Sequence, residues 1–150
     1  MTATSARTPA WPHAWTGRWI WSSTPALAGP SAAQPYGSHD PSRFDQRVLF
    51  RRVVELAQLP ARARIRLTAD SGYHLYVNGD EIGSGPQRHG PRTIGYDEYE
   101  LTGMLHPGRN AIAVVARFLG HPAPWWEPSP PSLTLGGGSF AAEIDLDGDL

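Results

Sequence analysis

Hydrophobic and polar residues alternate along several short stretches of the chain. In residues 63–69, alanine, isoleucine and leucine at odd positions alternate with arginine and threonine at even positions. A period of two places neighbouring side chains on opposite faces of a β-strand. We therefore predict a strand over residues 62–70, with Arg62, Arg64 and Arg66 together on a solvated face.

Five other stretches have the composition of strands. Residues 48–59 are rich in valine, leucine and phenylalanine, and Pro60 closes the run. Residues 111–119 are mostly apolar, which predicts a strand that is buried on both faces. The remaining three are residues 73–77, 93–102 and 139–146.

An aromatic segment near the N-terminus has a similar alternation. Trp15, Trp19 and Trp21 lie at odd positions, so an extended chain would present them on one face. Packing of this face into a core is the favoured interpretation, and a platform for a ligand is the alternative. Residues 1–14, rich in alanine, threonine and proline, are predicted to be a flexible leader.

The strongest local signal is a β-hairpin within residues 70–86. The dipeptide Asn78-Gly79 follows the predicted strand 73–77, and a return strand begins at Asp80. A two-residue turn of type I′ needs a positive φ at both central residues, which asparagine and glycine tolerate best.

Further turn residues are distributed along the chain. Asp70, like Asn78, is expected to make hydrogen bonds within a turn, and Gly108 and Asn110 belong to a turn at residues 106–110. Asp147 and Gly148 form another hairpin signal, although only two residues follow them. We therefore expect a single domain over residues 15–150 that is truncated at its C-terminal end.

Composition agrees with many short strands joined by turns. The 150 residues include 16 glycines and 15 prolines without any period, which argues against a helix bundle. A chain of this length can form one domain with a hydrophobic core. Together with the alternating stretches, this composition predicts an all-β fold, an antiparallel β-sandwich.

Charge and cysteine content exclude several classes of function. The formal net charge is −1 and the basic residues are scattered, so neither a nucleic acid nor a membrane is an expected partner. Because the chain has no cysteine, we predict neither disulfides nor thiolate chemistry. No stretch has the length of a membrane span and the N-terminus lacks a signal-peptide pattern, so we predict a cytoplasmic location.

No pattern of catalytic, metal-binding or cofactor-binding residues stands out. The six histidines lack ligand spacing, and the Gly-Ser-Gly sequence at residues 83–85 is not followed by a helix, as a phosphate loop would be. Glycoside hydrolysis would need two facing carboxyl groups. The acidic candidates are Asp70, Asp97, Glu98, Glu100 and Glu127. We expect them to be solvated or capping groups, and we predict no catalytic residue, no metal and no cofactor.

Sugar binding is the chemistry that the aromatic residues favour. Sugars stack their C–H faces on aromatic rings while neighbouring polar groups bind their hydroxyls. Trp125 and Trp126 lie in a proline-rich loop, and Tyr96 and Asp97 lie in a predicted extended stretch. These four residues are the candidates for carbohydrate contact. Packing, or a turn hydrogen bond for Asp97, is the alternative.

Two long segments resemble the N-terminal modules of bacterial α-L-rhamnosidases. Residues 69–86, ADSGYHLYVNGDEIGSGP, are similar to the hairpin of these modules, and residues 96–114, YDEYELTGMLHPGRNAIAV, to the strand–turn–strand that follows it. The sequences WIW at residues 19–21 and FRR at residues 50–52 also lie where that family has them. The resemblance extends over residues 15–146 and implies a jelly-roll sandwich of the galactose-binding type.

This resemblance also implies a function. In that family a separate helical barrel hydrolyses terminal α-L-rhamnose, so the chain would be a non-catalytic module that packs on other domains of its parent enzyme. Contact with a rhamnose-containing glycan is a further expectation. The turn sequences also occur in sugar-binding modules of β-galactosidases. The alternatives are therefore a stand-alone, lectin-like carbohydrate-binding module, the sugar-binding domain of a β-galactosidase-type enzyme, and an enzyme in its own right.

Overall fold

The fold is a sandwich of two antiparallel β-sheets. The computed structural model describes residues 11, 14–22, 46–87, 94–119 and 138–147, and it has no α-helix among them. The strands are β1 (Gln46–Leu56), β2 (Ala63–Ala69), β3 (Gly72–Val77), β4 (Asp80–Gly85), β5 (Asp97–Glu100), β6 (Gly108–Phe118) and β7 (Phe140–Leu146). The prediction of an all-β sandwich is confirmed.

The two sheets contain four and three strands in the described part of the chain. The larger sheet has the order β1-β6-β3-β4, and the smaller sheet has the order β5-β2-β7. β2 lies at the centre of the smaller sheet and pairs antiparallel with both neighbours. The largest buried side chains between the layers are Tyr73, Phe118, Ile65, Leu67, Leu75, Leu101 and Val77.

The predicted hairpin connects β3 and β4. Asn78 and Gly79 both have positive φ, 54° and 102°, as the type I′ turn requires. The Asn78 side chain accepts a hydrogen bond from the backbone N–H of Ala111 at 2.9 Å and donates one to Asn110 Oδ1 at 3.0 Å. Asn110 is fully buried and also accepts a hydrogen bond from the backbone N–H of His106. The hairpin turn is therefore held against the start of β6.

Two other predicted turn residues lie at the ends of strands. Asp70 is buried between β2 and β3, and its carboxylate accepts a hydrogen bond from the Ser71 hydroxyl at 2.8 Å. The same hydroxyl accepts the backbone N–H of Leu119, so this corner is fixed to the end of β6. Gly108 begins β6 with a φ of 90°, a conformation that favours glycine.

Side chains of β3 and β5 pack against two glycines where β4 faces β5. The Tyr73 hydroxyl donates to Asp97 Oδ2 at 2.5 Å and lies 3.1 Å from the Tyr99 hydroxyl. A Cβ at Gly85 would overlap the Asp97 carboxylate and the Tyr73 ring, and a Cβ at Gly83 would overlap the Tyr99 ring. The two glycines are thus required by the tyrosine and aspartate side chains packed against β4.

The Tyr73 hydroxyl stays protonated in this setting. Burial, together with hydrogen bonds to Asp97 and Tyr99, raises the pKa of Tyr73 far above its ordinary value. The hydroxyl therefore remains a hydrogen-bond donor to Asp97 across the usual pH range.

The prediction that β6 is buried on both faces is wrong for one face. Its even-numbered side chains from Asn110 to Phe118 are buried, whereas Ala111, Ala113 and Val115 on the other face are partly exposed. An apolar strand is buried on both faces only where further layers cover both. The described strands form two layers, which cover the inner face of β6.

We predict that Gly85→Ala lowers the free energy of unfolding by about 1–3 kcal/mol, because the added Cβ displaces Asp97 and Tyr73. Gly72→Ala is the matched control, because Gly72 also lies in a strand and its Cβ would meet its neighbours at ordinary distances of 3.6 Å or more. Urea unfolding of both variants measures the difference. Equal stabilities would contradict the assignment of Gly85.

Candidate functional site

The outer face of the three-stranded sheet is covered. Arg64 and Arg66 on β2 point to this face, and each is 3% exposed. The prediction that these two arginines lie on a solvated face is therefore wrong. The strand register explains their burial, because each arginine stands between acidic residues of β5 and β7. Arg64 lies opposite Glu100 and Asp145, and Arg66 lies opposite Glu98 and Glu143.

Two of these acidic residues form buried ion pairs with the arginines. Arg64 Nε donates to Asp145 Oδ2 at 2.8 Å, and Arg66 Nε donates to Glu143 Oε2 at 2.7 Å. All four side chains are 4–5% exposed. Removing a charge from water costs several kcal/mol, which only close pairing and further hydrogen bonds offset.

Tryptophan rings cover the arginines from outside. The Trp11 ring lies 4.4 Å from the guanidinium carbon of Arg64 and 4.3 Å from that of Arg66, and the Trp15 ring lies 4.6 Å from that of Arg66. A desolvated cation over an aromatic face contributes about 2 kcal/mol. Trp11 belongs to the segment that the sequence predicts to be a leader, and it contacts the sheet.

Glu143 binds the N-terminal segment to the sheet. Its Oε1 accepts hydrogen bonds from the backbone N–H groups of Thr16 and Gly17, each at 2.5 Å, and from the Thr16 hydroxyl at 2.9 Å. Burial alone raises the pKa of Glu143, but these hydrogen bonds and the one from Arg66 outweigh it and lower the pKa to about 2.

The N-terminal segment then crosses the edge of the sandwich. Residues 15–19 form no strand, and Ile20 makes a single antiparallel bridge with Phe140. Trp21 enters between the sheets, with its ring centroid 6.0 Å from that of Phe50 and 6.2 Å from that of Phe118. Trp21 therefore packs among core rings, whereas Trp15 lies over Arg66 on the outer face, so the three tryptophans of the predicted strand do not all share one face.

A shallow cavity lies between this segment and the sheet. Its volume is about 170 Å³, and it is lined by Trp15, Gly17, Trp19, Thr68, Ile94, Tyr96 and Ala141. Trp19 is 49% exposed and Tyr96 is 45% exposed. Trp15 contacts the Tyr96 ring edge-on, with 5.5 Å between the ring centroids. The cavity is the place in the described structure where exposed aromatic rings gather.

The predicted carbohydrate contacts separate in the structure. Tyr96 lines the cavity, whereas its neighbour Asp97 points between the sheets and accepts the Tyr73 hydroxyl. Trp125 and Trp126 lie outside the described residues.

The acidic candidates for catalysis are also dispersed. Glu98 and Glu100 point to the opposite face of β5 from Asp97, Asp70 is buried at the β2–β3 corner, and Glu127 lies outside the described residues. No group of three histidine or acidic side chains suited to a metal ion occurs in the part of the chain that the structure describes. Within the same residues, no helix has the length and apolar character needed to cross a membrane.

The arginine pairs were missed by local sequence reasoning, although a signal for them exists. The pattern Arg-x-Arg of β2 is matched by Glu-x-Glu in β5 and by Glu-x-Asp in β7. Opposite charges at the same spacing on three strands indicate cross-strand pairing.

Comparison with known proteins identifies similar solved structures. No protein-family model matches the chain, and no curated protein sequence matches it. The GH78 family rhamnosidase of Bacillus sp. GL1 is similar over 90% of the chain, with 31% sequence identity and a TM-score of 0.62. The native α-L-rhamnosidase of Aspergillus terreus shares the fold over 69% of the chain, with 18% identity and a TM-score of 0.56. The chain spans only 12% and 13% of the lengths of these two proteins.

We predict that acid destabilises the fold through Glu143. Its pKa is about 2 in the folded protein and 4.5 ordinarily, so its contribution is complete above pH 4.5 and is lost as the pH falls toward 2. A shift of this size corresponds to about 3 kcal/mol. Urea unfolding between about pH 6 and about pH 3 measures the loss.

Glu143→Gln should flatten this pH dependence, because the variant has no carboxylate to protonate. Glu81→Gln is the control, since Glu81 is an exposed residue that pairs only with His74 in the described structure. The assignment fails if Glu143→Gln retains the same slope as the unmodified chain.

Proposed function

We propose that this chain, which resembles one segment of a GH78 rhamnosidase, is a non-catalytic module of a larger α-L-rhamnosidase that hydrolyses terminal α-L-rhamnose. The observation that carries the proposal is the 31% identity over 90% of the chain with only 12% of the Bacillus enzyme. Such a segment is part of a larger polypeptide with other domains. The hydrolytic groups of the parent enzyme would lie in one of those domains.

The chemistry of the described acidic residues supports the non-catalytic role. Hydrolysis needs an acid and a second carboxylate that face each other across the substrate. Asp97, Glu143 and Asp145 are each bound by a donor of the chain itself, namely Tyr73 or one of the two buried arginines. These carboxylates stabilise the sandwich.

The outer face of the four-stranded sheet is the surface that suits docking on a neighbouring domain. On β6 this face carries Ala111, Ala113 and Val115, which are partly exposed. On β1 it carries Leu49, which is 66% exposed, and Val53, which is 37% exposed. Contiguous exposed apolar side chains on a sheet indicate an interaction surface.

The β1 and β6 part of this face is mainly positive. The charged residues on the outer faces of β1 and β6 are Arg47, Arg51, Glu55, Arg109 and Arg117. Four arginines against one glutamate disfavour contact with a second copy of the same face. The expected partner is therefore a domain of the parent enzyme with an apolar surface bordered by carboxylates.

Labelling of introduced cysteines tests this docking face, because the chain has no cysteine of its own. We predict that in the full-length parent polypeptide Leu49→Cys reacts with a maleimide about tenfold or more slowly than in the isolated chain, as expected in the core of an interface. Leu59→Cys is the control, because Leu59 is 50% exposed in the loop that follows β1. Mass spectrometry of the labelled peptides measures both rates. Equal slowing factors for the two variants would exclude this face as the docking surface.

Contact with a glycan is a second candidate function, favoured by the cavity beside Trp15. Trp19 and Tyr96 expose nearly half of their surfaces there, and exposed rings beside a small cavity suit the stacking of a sugar. This contact would suit a role in the parent enzyme as well as in a lectin-like module or in a β-galactosidase-type enzyme. The cytoplasmic location inferred from the N-terminal sequence stays a prediction.

Titration calorimetry with rhamnose, galactose and short glycans tests the second function. We predict that Trp19→Ala weakens binding about fivefold, as expected for the loss of one stacking ring worth about 1 kcal/mol. Met104→Ala is the control, because Met104 is 41% exposed on the turn that follows β5. Trp126→Ala tests the loop predicted from the sequence separately. Absence of any binding by the unmodified chain would leave domain docking as the role.

A further inference from the structure

The burial pattern of β7 is the reverse of that expected for a strand over a core. The core-facing side chains of Ala142, Ile144 and Leu146 are only half-buried, whereas the outward-facing Glu143 and Asp145 are buried. The outward pair is covered by the arginines and the N-terminal segment. The described residues therefore leave the core-facing side of β7 partly uncovered.

An open cavity explains this reversal. It lies between the two sheets on the side of β1 and β7 and has a volume of about 480 Å³. Its apolar lining includes Phe50, Val54, Ile112, Val114, Ile144 and Leu146. Protein cores are close-packed and have few voids larger than a water molecule. A cavity of this size at the edge of a core has room for further side chains.

The edge of β7 beside this cavity has unused hydrogen-bonding groups. Phe140 N–H and C=O both bond to Ile20, on the side away from β2. Because backbone groups alternate along a strand, those of Ala142, Ile144 and Leu146 point to the same side. In the described part of the chain nothing pairs with them, since β2 occupies the other edge. Gly17 lies beside the Ala142 carbonyl, where an added Cβ would be 3.4 Å from the oxygen, so within the described residues Ile144 and Leu146 present the free edge next to the cavity.

The end of β7 indicates which segment fits this edge. Asp147 has a φ of 55°, as does the first central residue of a type I′ turn, and Gly148 follows it in the sequence. Its carboxylate accepts hydrogen bonds from the backbone N–H groups of Ala61 at 3.0 Å and Arg62 at 2.7 Å. A two-residue turn at Asp147 and Gly148 would send the chain back along β7. Because β2 occupies one edge of β7, the returning segment would pair with the other edge.

We propose that the polypeptide that follows Asp147 turns back and pairs with the free edge of β7 as an eighth strand. This inference rests on the proposed function, in which the chain is a segment of a larger enzyme. The added strand gives the smaller sheet four members, equal to the larger sheet. Its alternate side chains, which must be apolar, fill the cavity beside Phe50 and Ile144.

Amide hydrogen exchange measured by NMR tests the proposal. The 150-residue chain is compared with the chain lengthened along its own reading frame by about 15 residues, enough for a turn and a strand. The amides of Ile144 and Leu146 should exchange about a hundredfold or more slowly in the longer chain. The amides of Ala141, Glu143 and Asp145 point toward β2 and serve as internal controls for folding.

A proline variant separates strand addition from general stabilisation. Ile144→Pro removes an N–H from the free edge and leaves the hydrogen bonds to β2 in place. In the lengthened chain it should abolish the slow exchange of Leu146 while the control amides stay protected. Ile144→Val, which retains the N–H, should behave as the unmodified chain does.

Several outcomes would overturn the proposal. Unchanged exchange of the two edge amides in the lengthened chain excludes the eighth strand and leaves the proposed function intact, because docking is measured separately at Leu49. Protection already present in the 150-residue chain assigns the edge to another segment, or to a second copy if it depends on concentration. A reading frame that encodes no further domain overturns the proposed function, whereas the eighth strand is judged by the exchange of the edge amides alone.

Discussion

The burial of two positive charges on β2 constrains the structure more than any other feature. Arg64 and Arg66 are removed from water at a cost of several kcal/mol each unless they are closely paired. Asp145 and Glu143 supply the pairing, and Trp11 covers both guanidinium groups. The N-terminal segment, the central strand and the last strand are thereby joined as one unit. The outer face of the smaller sheet acts as a second, polar core.

In the part of the chain that the structure describes, the sandwich is closed on one side and open on the other. Where β4 faces β5, two glycines allow Tyr73, Asp97 and Tyr99 to fill the space between the sheets. Where β1 faces β7, an apolar cavity remains. This asymmetry follows from the number of strands among the described residues, because three strands cannot cover the inner face of four. The motif Gly-x-Gly at residues 83–85 is therefore a packing requirement of the closed side.

Local sequence patterns were sufficient for the strands and the hairpin. Alternation in residues 63–69 reports which side chains face the core, and Asn78-Gly79 requires a turn that few other dipeptides permit. The same alternation does not report what covers the outer face. The local pattern is the same whether an arginine faces water or pairs with a carboxylate that is distant in the sequence. The partners of Arg64 and Arg66 lie 81 and 77 residues away along the chain. Of the residues that line the cavity, the sequence predicts Tyr96 as a contact residue but favours a core position for Trp15 and Trp19. Their segment follows hydrogen bonds to Glu143, which local alternation does not report.

The long sequence separation of these ion pairs has a consequence for synthesis of the chain. A ribosome produces β2 well before β7, so both arginines leave the exit tunnel without their carboxylate partners and stay hydrated. The β3–β4 hairpin, whose contacts are local, can form at once, whereas the smaller sheet must wait until residues 143–145 have been made. Contacts of high sequence separation are also those that form slowly. The buried ion pairs of Arg64 and Arg66 thus make completion of the smaller sheet a late event in the folding of the nascent chain.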